Sequence, residues 1–219
     1  MKRIQALGLA VASVLAAGSA HASFVYIDTA APNRQSFSIT ARNNDFATQL
    51  GQAGVSNFNL GASLGTSAPG SVTIDYFGKE AVFTNSFQWA GRTLATTGSG
   101  RTDSWSARNL GTFGVGSGLL DFAFCTSGGN VSGPAVAPTC YSNRGEDSTP
   151  IGSPQSIGSW IVNGTTAWLL FDDGGAGPDD NHDDMIVRLT YQVPEPATLG
   201  LLALGLLGAG GTLRRRTRA

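Results

Sequence analysis

The chain has 219 residues, of which 41% are hydrophobic, 13% are charged and 30 are glycine. Charged residues occur at about half, and glycine at about twice, their average share in soluble domains. A formal net charge of -1 with a single lysine in the central part of the chain argues against a nucleic-acid-binding protein, because phosphate recognition needs clustered Lys and Arg. The same composition excludes a long coiled coil.

The net charge is the sum of three unlike segments. Residues 1–22 carry +2, residues 23–193 carry -6, and residues 194–219 carry +3. Both ends are basic and apolar, whereas the middle is acidic. The three segments therefore have to be interpreted separately.

Residues 1–22 are predicted to be a secretory signal peptide. Lys2 and Arg3 form a positive start, residues 4–17 are apolar and small, and Ala20-His21-Ala22 has the A-x-A form of a cleavage site. The mature chain is expected to begin at Ser23, after export by the Sec translocon and cleavage by signal peptidase.

Residues 23–192 are predicted to form one all-β domain, a single jelly-roll-like β-sandwich, because short apolar runs alternate with Gly, Ser, Asn and Pro. Asn163-Gly164 predicts a hairpin turn between two of the runs. Gly78-Lys79 is interpreted as a second hairpin turn. Alternation of apolar residues over 185–192 predicts a strand with one buried face. The predicted strands are 24–27, 37–40, 71–77, 81–89, 119–125, 159–162, 165–171 and 185–192, with a short helix over 44–50.

Cys125 and Cys140 are the two cysteines of the chain. Export places them in an oxidising compartment, which favours a disulfide between them. A reactive thiol is the alternative, but no activating group lies nearby in the sequence.

The segment between the last two predicted strands is strongly acidic. Six of the 14 acidic residues of the central segment fall between Asp172 and Asp184. Flexible loops rich in carboxylates supply the oxygen ligands of Ca²⁺, whereas the alternative is that the aspartates cap turns and bond backbone N–H groups. The candidate Ca²⁺ ligands are Asp172, Asp173, Asp179, Asn181, Asp183 and Asp184. The spacing Asp179-x-Asn181-x-Asp183 starts like an EF-hand loop, but Asp184 stands where that loop needs Gly.

A hydrolase is a less favoured interpretation. Gly61-Ala62-Ser63-Leu64-Gly65 matches G-x-S-x-G, and Ser63, Asp172 or Asp173, and His182 follow in the chain order of an α/β hydrolase. The motif lacks the strand and helix that should flank its serine, so we assign no catalytic residue. Glu80 has apolar neighbours but no evident carboxylate partner for glycoside cleavage.

The C-terminal segment has three parts in a fixed order. Val193-Pro194-Glu195-Pro196 comes first, the uncharged residues 197–213 are just long enough for a transmembrane helix, and Arg214-Arg215-Arg216 would stay cytoplasmic. This order resembles the PEP-CTERM sorting signal of exported proteins of Gram-negative bacteria. The resemblance implies that an exosortase, a membrane-embedded cysteine protease, cuts near the Pro-Glu-Pro motif and releases the protein toward the cell surface or the matrix.

The acidic segment with its flanking strands also resembles a segment that recurs just before PEP-CTERM tails. Its broader relatives are suspected Ca²⁺ or structural loops, which implies ligand roles for Asp179, Asn181, Asp183 and Asp184. His182 replaces the aromatic residue that is usual in that pattern, and Asp183 stands where Asn is usual.

The sequence as a whole predicts a non-catalytic, exosortase-sorted protein of the surface or extracellular matrix. It would be anchored transiently in the inner membrane with its domain in the periplasm. Exopolysaccharide is a candidate partner in a biofilm matrix, and Ca²⁺ is the one candidate cofactor. The alternatives are a secreted hydrolase and a lectin-like module in which Trp105 stacks on a sugar.

Overall fold

The computed structural model describes residues 22–27, 35–42, 44–60, 62–81, 83–98, 104–127, 139–143, 156–174 and 181–193. The predicted signal peptide before Ala22 and the predicted transmembrane span lie outside these ranges. Within them, no helix is long and apolar enough to cross a membrane.

The described residues are mostly β-strand. One α-helix, α1 (Ala47–Gln52), follows a 3₁₀ helix at Ile39–Arg42. The strands are β1 Phe24–Tyr26, β2 Gln35–Ser38, β3 Asn57–Leu60, β4 Leu64–Thr66, β5 Gly70–Gly78, β6 Asn85–Trp89, β7 Arg92–Thr96, β8 Arg108–Val115, β9 Gly118–Leu119, β10 Phe122–Thr126, β11 Thr139–Ser142, β12 Ser156–Ile161, β13 Thr166–Asp172 and β14 Met185–Gln192.

These strands form three antiparallel sheets. Seven strands make one sheet in the order β2-β3-β12-β13-β14-β5-β8, four make a second in the order β11-β10-β6-β7, and β1-β4-β9 make a small third sheet. The prediction of an all-β fold is therefore confirmed in its coarse form: the described residues are mostly β-strand and form several antiparallel sheets.

The seven-stranded sheet buries both of its faces. Leu169 and Phe171 of β13 belong to a core cluster that includes Phe87 and Phe124 of the four-stranded sheet, and the Phe124 and Phe171 rings stack with centroids 5.0 Å apart. Because side chains alternate along a strand, Trp168 of β13 points to the opposite face, into a second cluster formed largely by residues 39–60.

Trp105 belongs to this second cluster. Its ring stacks on Trp168 with centroids 5.7 Å apart and also contacts Phe77 and Phe46, at 4.9 and 5.5 Å. The side chain is half-buried. Because it packs on three aromatic rings, Trp105 is part of the core. The sugar-stacking role is the alternative that the sequence offers for this residue.

Several strands were predicted closely. β14 spans the predicted residues, and Met185, Val187, Leu189 and Tyr191 all lie in the first core cluster. β12 and β13 form the predicted hairpin, with Ile161 opposite Ala167. Gly164 has a φ of +79°, but Asn163 does not have a positive φ, so the turn differs from the predicted two-residue type.

The predicted hairpin across Gly78-Lys79 is wrong. β5 pairs with β14 on one side and β8 on the other, so neither of its edges is free for β6. β6 pairs instead with β10 and β7 in the four-stranded sheet. The chain therefore crosses from one sheet to another between β5 and β6. Lys79 is fully buried in this crossover, and its Nζ donates to the carbonyl oxygens of Ala81 and Gly98.

The disulfide between Cys125 and Cys140 is present. It joins residues that lie directly opposite each other on β10 and β11. The bridge holds β11 on the edge of the four-stranded sheet.

Replacing both cysteines by alanine should lower the free energy of unfolding by about 3 kcal/mol, because the unfolded chain regains the entropy of a loop of about 15 residues. Urea denaturation of the oxidised parent and of Cys125→Ala/Cys140→Ala measures this difference. A reducing agent should destabilise the parent and leave the variant unchanged. Equal stability of the two proteins would contradict the role of the bridge.

Candidate metal centre

The acidic residues lie where two neighbouring strands meet at one end of the seven-stranded sheet. β13 ends at Asp172, and β14 begins at Met185, directly after Asp184. The two strands are antiparallel with Phe171 opposite Met185, so the end of one strand lies beside the start of the next. The amide of Asp184 donates to the carbonyl oxygen of Phe171 at 3.0 Å.

These residues are buried. The exposed fraction is 6% for Asp172, 2% for Asp173, 0% for Asp183 and 5% for Asn181. Removing a carboxylate from water costs several kcal/mol unless charge or hydrogen bonds compensate for it. These residues therefore do not lie in a freely solvated loop.

Part of the compensation comes from backbone N–H groups. The amide of Gly174 donates to Asp172 Oδ1 at 2.7 Å, that of Asp173 to Asp184 Oδ2 at 2.7 Å, and that of Asp45 to Asp183 Oδ2 at 2.6 Å. The capping role predicted as the alternative to Ca²⁺ binding is thus part of the arrangement.

Glu80 joins the cluster from a distant part of the chain. Its amide donates to the carbonyl oxygen of Asp183 at 2.8 Å. One carboxylate oxygen from each of Glu80, Asp183 and Asp184 lies within 4.8 Å of the other two. The sequence alone shows no carboxylate partner for Glu80, because the sheet crossover that positions it has no local sequence signal.

Asn85, the first residue of β6, completes the cluster. Its side chain is fully buried, and Nδ2 donates to Asp173 Oδ2 at 2.8 Å and to the carbonyl oxygen of Asp184 at 3.2 Å. Its Oδ1 has no hydrogen-bond partner among the described residues. A buried amide oxygen without a donor, held against a group of carboxylates, is a ligand that a hard cation accepts.

The electrostatics of the cluster favour added positive charge. Burial and, after it, the negative charge of Asp173 raise the pKa of Asp184 from 3.8 to about 10, with smaller contributions from Asp172 and Asp183, while the hydrogen bond from the Asp173 backbone opposes the shift. The protein therefore stabilises a proton at Asp184, in a place where a bound cation would equally relieve the repulsion.

His182 fixes the geometry of the turn before β14. Its φ is +58°, a left-handed conformation that is uncommon for a residue with a side chain. The ring is fully buried, with Nε2 at 2.7 Å from Ser156 Oγ and Nδ1 at 4.0 Å from Asp172 Oδ2. Asn44 holds the same turn, since its Nδ2 donates to the carbonyl oxygens of Asn181 and His182.

The hydroxyl group bonded to His182 is that of Ser156. Ser63 lies next to β4, where its carbonyl oxygen accepts the amide of Ile27. Ser156 and His182 are 2% and 0% exposed, so this Ser-His pair presents almost no surface to a substrate.

Other candidate residues lie outside the described ranges. Asp179 is one of them, and so are Pro194, Glu195, Pro196 and Arg214–Arg216 of the sorting motif. Val193, the first residue of that motif, is described and is 46% exposed directly after β14.

Comparison with known families identifies the C-terminal segment. The model of the PEP-CTERM protein-sorting motif matches residues 192–216. The chain therefore carries the sorting motif of an exported, membrane-associated exosortase substrate, as the order of its Pro-Glu-Pro motif, apolar run and arginines indicated.

No curated protein matches the chain in sequence. Among solved structures, the high-affinity mannose-binding lectin of Ralstonia solanacearum is similar to it at 19% identity and a TM-score of 0.30, over 58% of this chain and 92% of the lectin. A likeness at that score transfers neither ligand nor activity.

The pH dependence of stability follows from Asp184. A carboxyl group whose pKa is higher in the folded than in the unfolded chain stabilises the fold below its unfolded value, and this contribution is lost as the pH rises through the folded value. In the presence of a chelator, the melting temperature should fall between about pH 5 and about pH 9.

Asp184→Asn should flatten this fall, whereas Asp121→Asn, a matched change at an exposed position, should leave it intact. Thermal unfolding followed by circular dichroism in EDTA gives the three profiles. A fall of the same size in Asp184→Asn would show that the pH dependence has another origin.

Proposed function

We propose that this protein is a non-catalytic, exosortase-sorted domain of the cell surface or extracellular matrix, and that its acidic cluster binds Ca²⁺. The observation that carries the proposal is the convergence of Glu80, Asp183 and Asp184, with carboxylate oxygens within 4.8 Å of one another. The second supporting observation is Asn85, whose Nδ2 contacts Asp173 and Asp184 and whose buried Oδ1 has no hydrogen-bond partner among the described residues.

The three carboxylate oxygens meet the distance requirement of Ca²⁺. Ca²⁺ holds its ligands at about 2.3–2.6 Å, so two oxygens on one ion are at most about 5.2 Å apart. Mg²⁺ holds them at about 2.0–2.1 Å, which limits the separation to about 4.2 Å and requires a near-ideal octahedron. Oxygens that lie within 4.8 Å of one another meet the limit for Ca²⁺, whereas Mg²⁺ requires all of them to lie within about 4.2 Å.

Ca²⁺ would act here as a structural ion. Glu80 belongs to the crossover after β5, Asn85 begins β6, and Asp183 and Asp184 precede β14. An ion held by these residues would fasten the seven-stranded sheet to the four-stranded sheet. Outside the cytoplasm, sites with dissociation constants of about 10⁻⁴–10⁻³ M are sufficient for such a role.

The wider arrangement belongs to the same proposal. Residues 1–22 are a signal peptide, residues 23–192 form one jelly-roll-like β-sandwich, and residues 197–213 are a transient membrane anchor. The core shared by the three sheets supports the single domain. The near-complete burial of Ser156 and His182 supports a non-catalytic role over the hydrolase. Signal peptidase and exosortase would process the chain, and exopolysaccharide is its proposed partner in the matrix.

Ca²⁺ should raise the thermal stability of the protein. At a concentration about 100 times the dissociation constant, binding adds about 2.7 kcal/mol, which corresponds to a rise in Tm of roughly 5–10 °C for a domain of this size. Asp184→Asn and Glu80→Gln should lose most of this rise, and Asp121→Asn should keep it. Differential scanning calorimetry with EDTA, Ca²⁺ or Mg²⁺ makes the comparison.

If neither EDTA nor Ca²⁺ changes the Tm, the proposal of a Ca²⁺ site is wrong. An equal rise in Asp184→Asn and in the parent would show that Ca²⁺ binds elsewhere.

Sorting should depend on the Pro-Glu-Pro motif. Pro194→Ala/Glu195→Gln/Pro196→Ala should leave the tail uncut, so the full chain should accumulate in the membrane fraction. Thr198→Ala, a control within the tail but outside the motif, should be processed normally. Immunoblotting of membrane and culture fractions distinguishes the two forms, and equal release of both variants would refute exosortase processing at this motif.

A further inference from the structure

The four-stranded sheet carries a groove on the face that points away from the core. The groove has a volume of about 300 Å³, at the lower end of the range for small-ligand sites. Its lining consists of Thr84, Ser86, Gln88, Thr93, Thr96, Cys125, Thr126, Ser127 and Cys140.

Strand register explains why these residues share one surface. Cys140, Cys125, Ser86 and Thr96 lie opposite one another across β11, β10, β6 and β7, so they form a single row across the sheet. Gln88 lies two residues farther along β6, on the same face as Ser86. Phe87, between them, points to the core on the opposite face.

The groove is held in shape by covalent and hydrogen bonds. The disulfide ties Cys125 to Cys140 within the row. At one end, the amide and the hydroxyl of Ser127 both donate to the carbonyl oxygen of Thr84, at 3.0 and 3.1 Å. A site built on paired strands presents its polar groups with little freedom to lose on binding.

The chemistry of the lining selects the class of ligand. No lining residue is charged, since the two cysteines are joined and the others are Thr, Ser and Gln. Hydroxyl and amide groups donate and accept hydrogen bonds, which matches the hydroxyl groups of a sugar, while the threonine methyl groups suit its C–H surface. The net charge of -6 on residues 23–193 disfavours a polyanionic chain.

We propose that this groove binds a short segment of an uncharged glycan. The site is separate from the acidic cluster, and it rests on the proposed function, which places the domain outside the cytoplasm with exopolysaccharide as its partner. Neighbouring strands lie about 4.8 Å apart. Hydroxyl groups on them are therefore spaced at roughly the length of one pyranose ring. The lining holds no aromatic side chain, so recognition would combine hydrogen bonds with contacts to the threonine methyl groups and the disulfide, and Trp105 has no part in it.

The test is direct binding of neutral oligosaccharides to the full chain in detergent. Isothermal titration calorimetry with mannohexaose, cellohexaose and a β-1,3-glucan hexamer covers three linkage types, and hexagalacturonate provides a charged counterpart. At least one neutral hexamer should bind, and hexagalacturonate should not.

Groove variants locate the binding. Gln88→Ala/Thr96→Ala should weaken the neutral hexamer at least tenfold, and Thr96→Arg, at an exposed position, should block the groove in a second, independent way. Thr73→Ala/Thr112→Ala is the matched control, because these two hydroxyls form a polar pair on two strands of the other sheet, 2.8 Å apart. The control should bind as the parent does.

Three results would overturn the proposal: no neutral hexamer binds at millimolar concentration, binding survives in both groove variants, or binding is lost in Trp105→Ala instead. Asp184→Asn, which changes the acidic cluster, separates the test of Ca²⁺ binding from the test of glycan binding. If Ca²⁺ stabilisation fails while glycan binding persists in the groove, the proposed ion site is wrong and the groove stands.

Discussion

The structure depends on keeping several carboxylates out of water at one end of its largest sheet. Asp173 and Asp183 are almost completely buried, and Asp184 lies against them with a pKa raised by burial and by their charge. Like charges at this distance in a poorly solvated place repel strongly. Backbone amides and Asn85 satisfy part of the carboxylate oxygens, and a divalent ion would neutralise the remaining charge.

This constraint joins parts of the chain that are far apart in the sequence. Glu80 reaches the cluster through the crossover between two sheets, and Asn44 ties the turn at Asn181 and His182 to the start of α1. His182, with its left-handed backbone, directly precedes the fully buried Asp183. Strain at one residue is tolerated here because packing on Phe58 and the bond to Ser156 hold the ring in place.

Sequence patterns predicted those features that depend on neighbouring residues. Period-two alternation is enough to define β14, because its inward residues must reach the core. The disulfide followed from the number of cysteines and the compartment. The acidic segment between β13 and β14 was also visible as a charge pattern.

Features that depend on sheet pairing could not be predicted in the same way. The sequence predicts a hairpin of the two adjacent runs that contain β5 and β6, yet both edges of β5 pair with other strands, β14 and β8. Glu80 and Asn85 enter the cluster as a result of that crossover. The choice of partner strand depends on the whole fold, so no local signal marks these two residues as members of the cluster.

The most direct test of the account is a crystal structure of the protein grown with Ca²⁺, with anomalous scattering used to locate the ion. We expect one peak between Glu80, Asp183 and Asp184, with ligand oxygens at about 2.3–2.6 Å from the ion. A cluster with no peak at saturating Ca²⁺, its carboxylates bonded only to one another and to backbone amides, would contradict it.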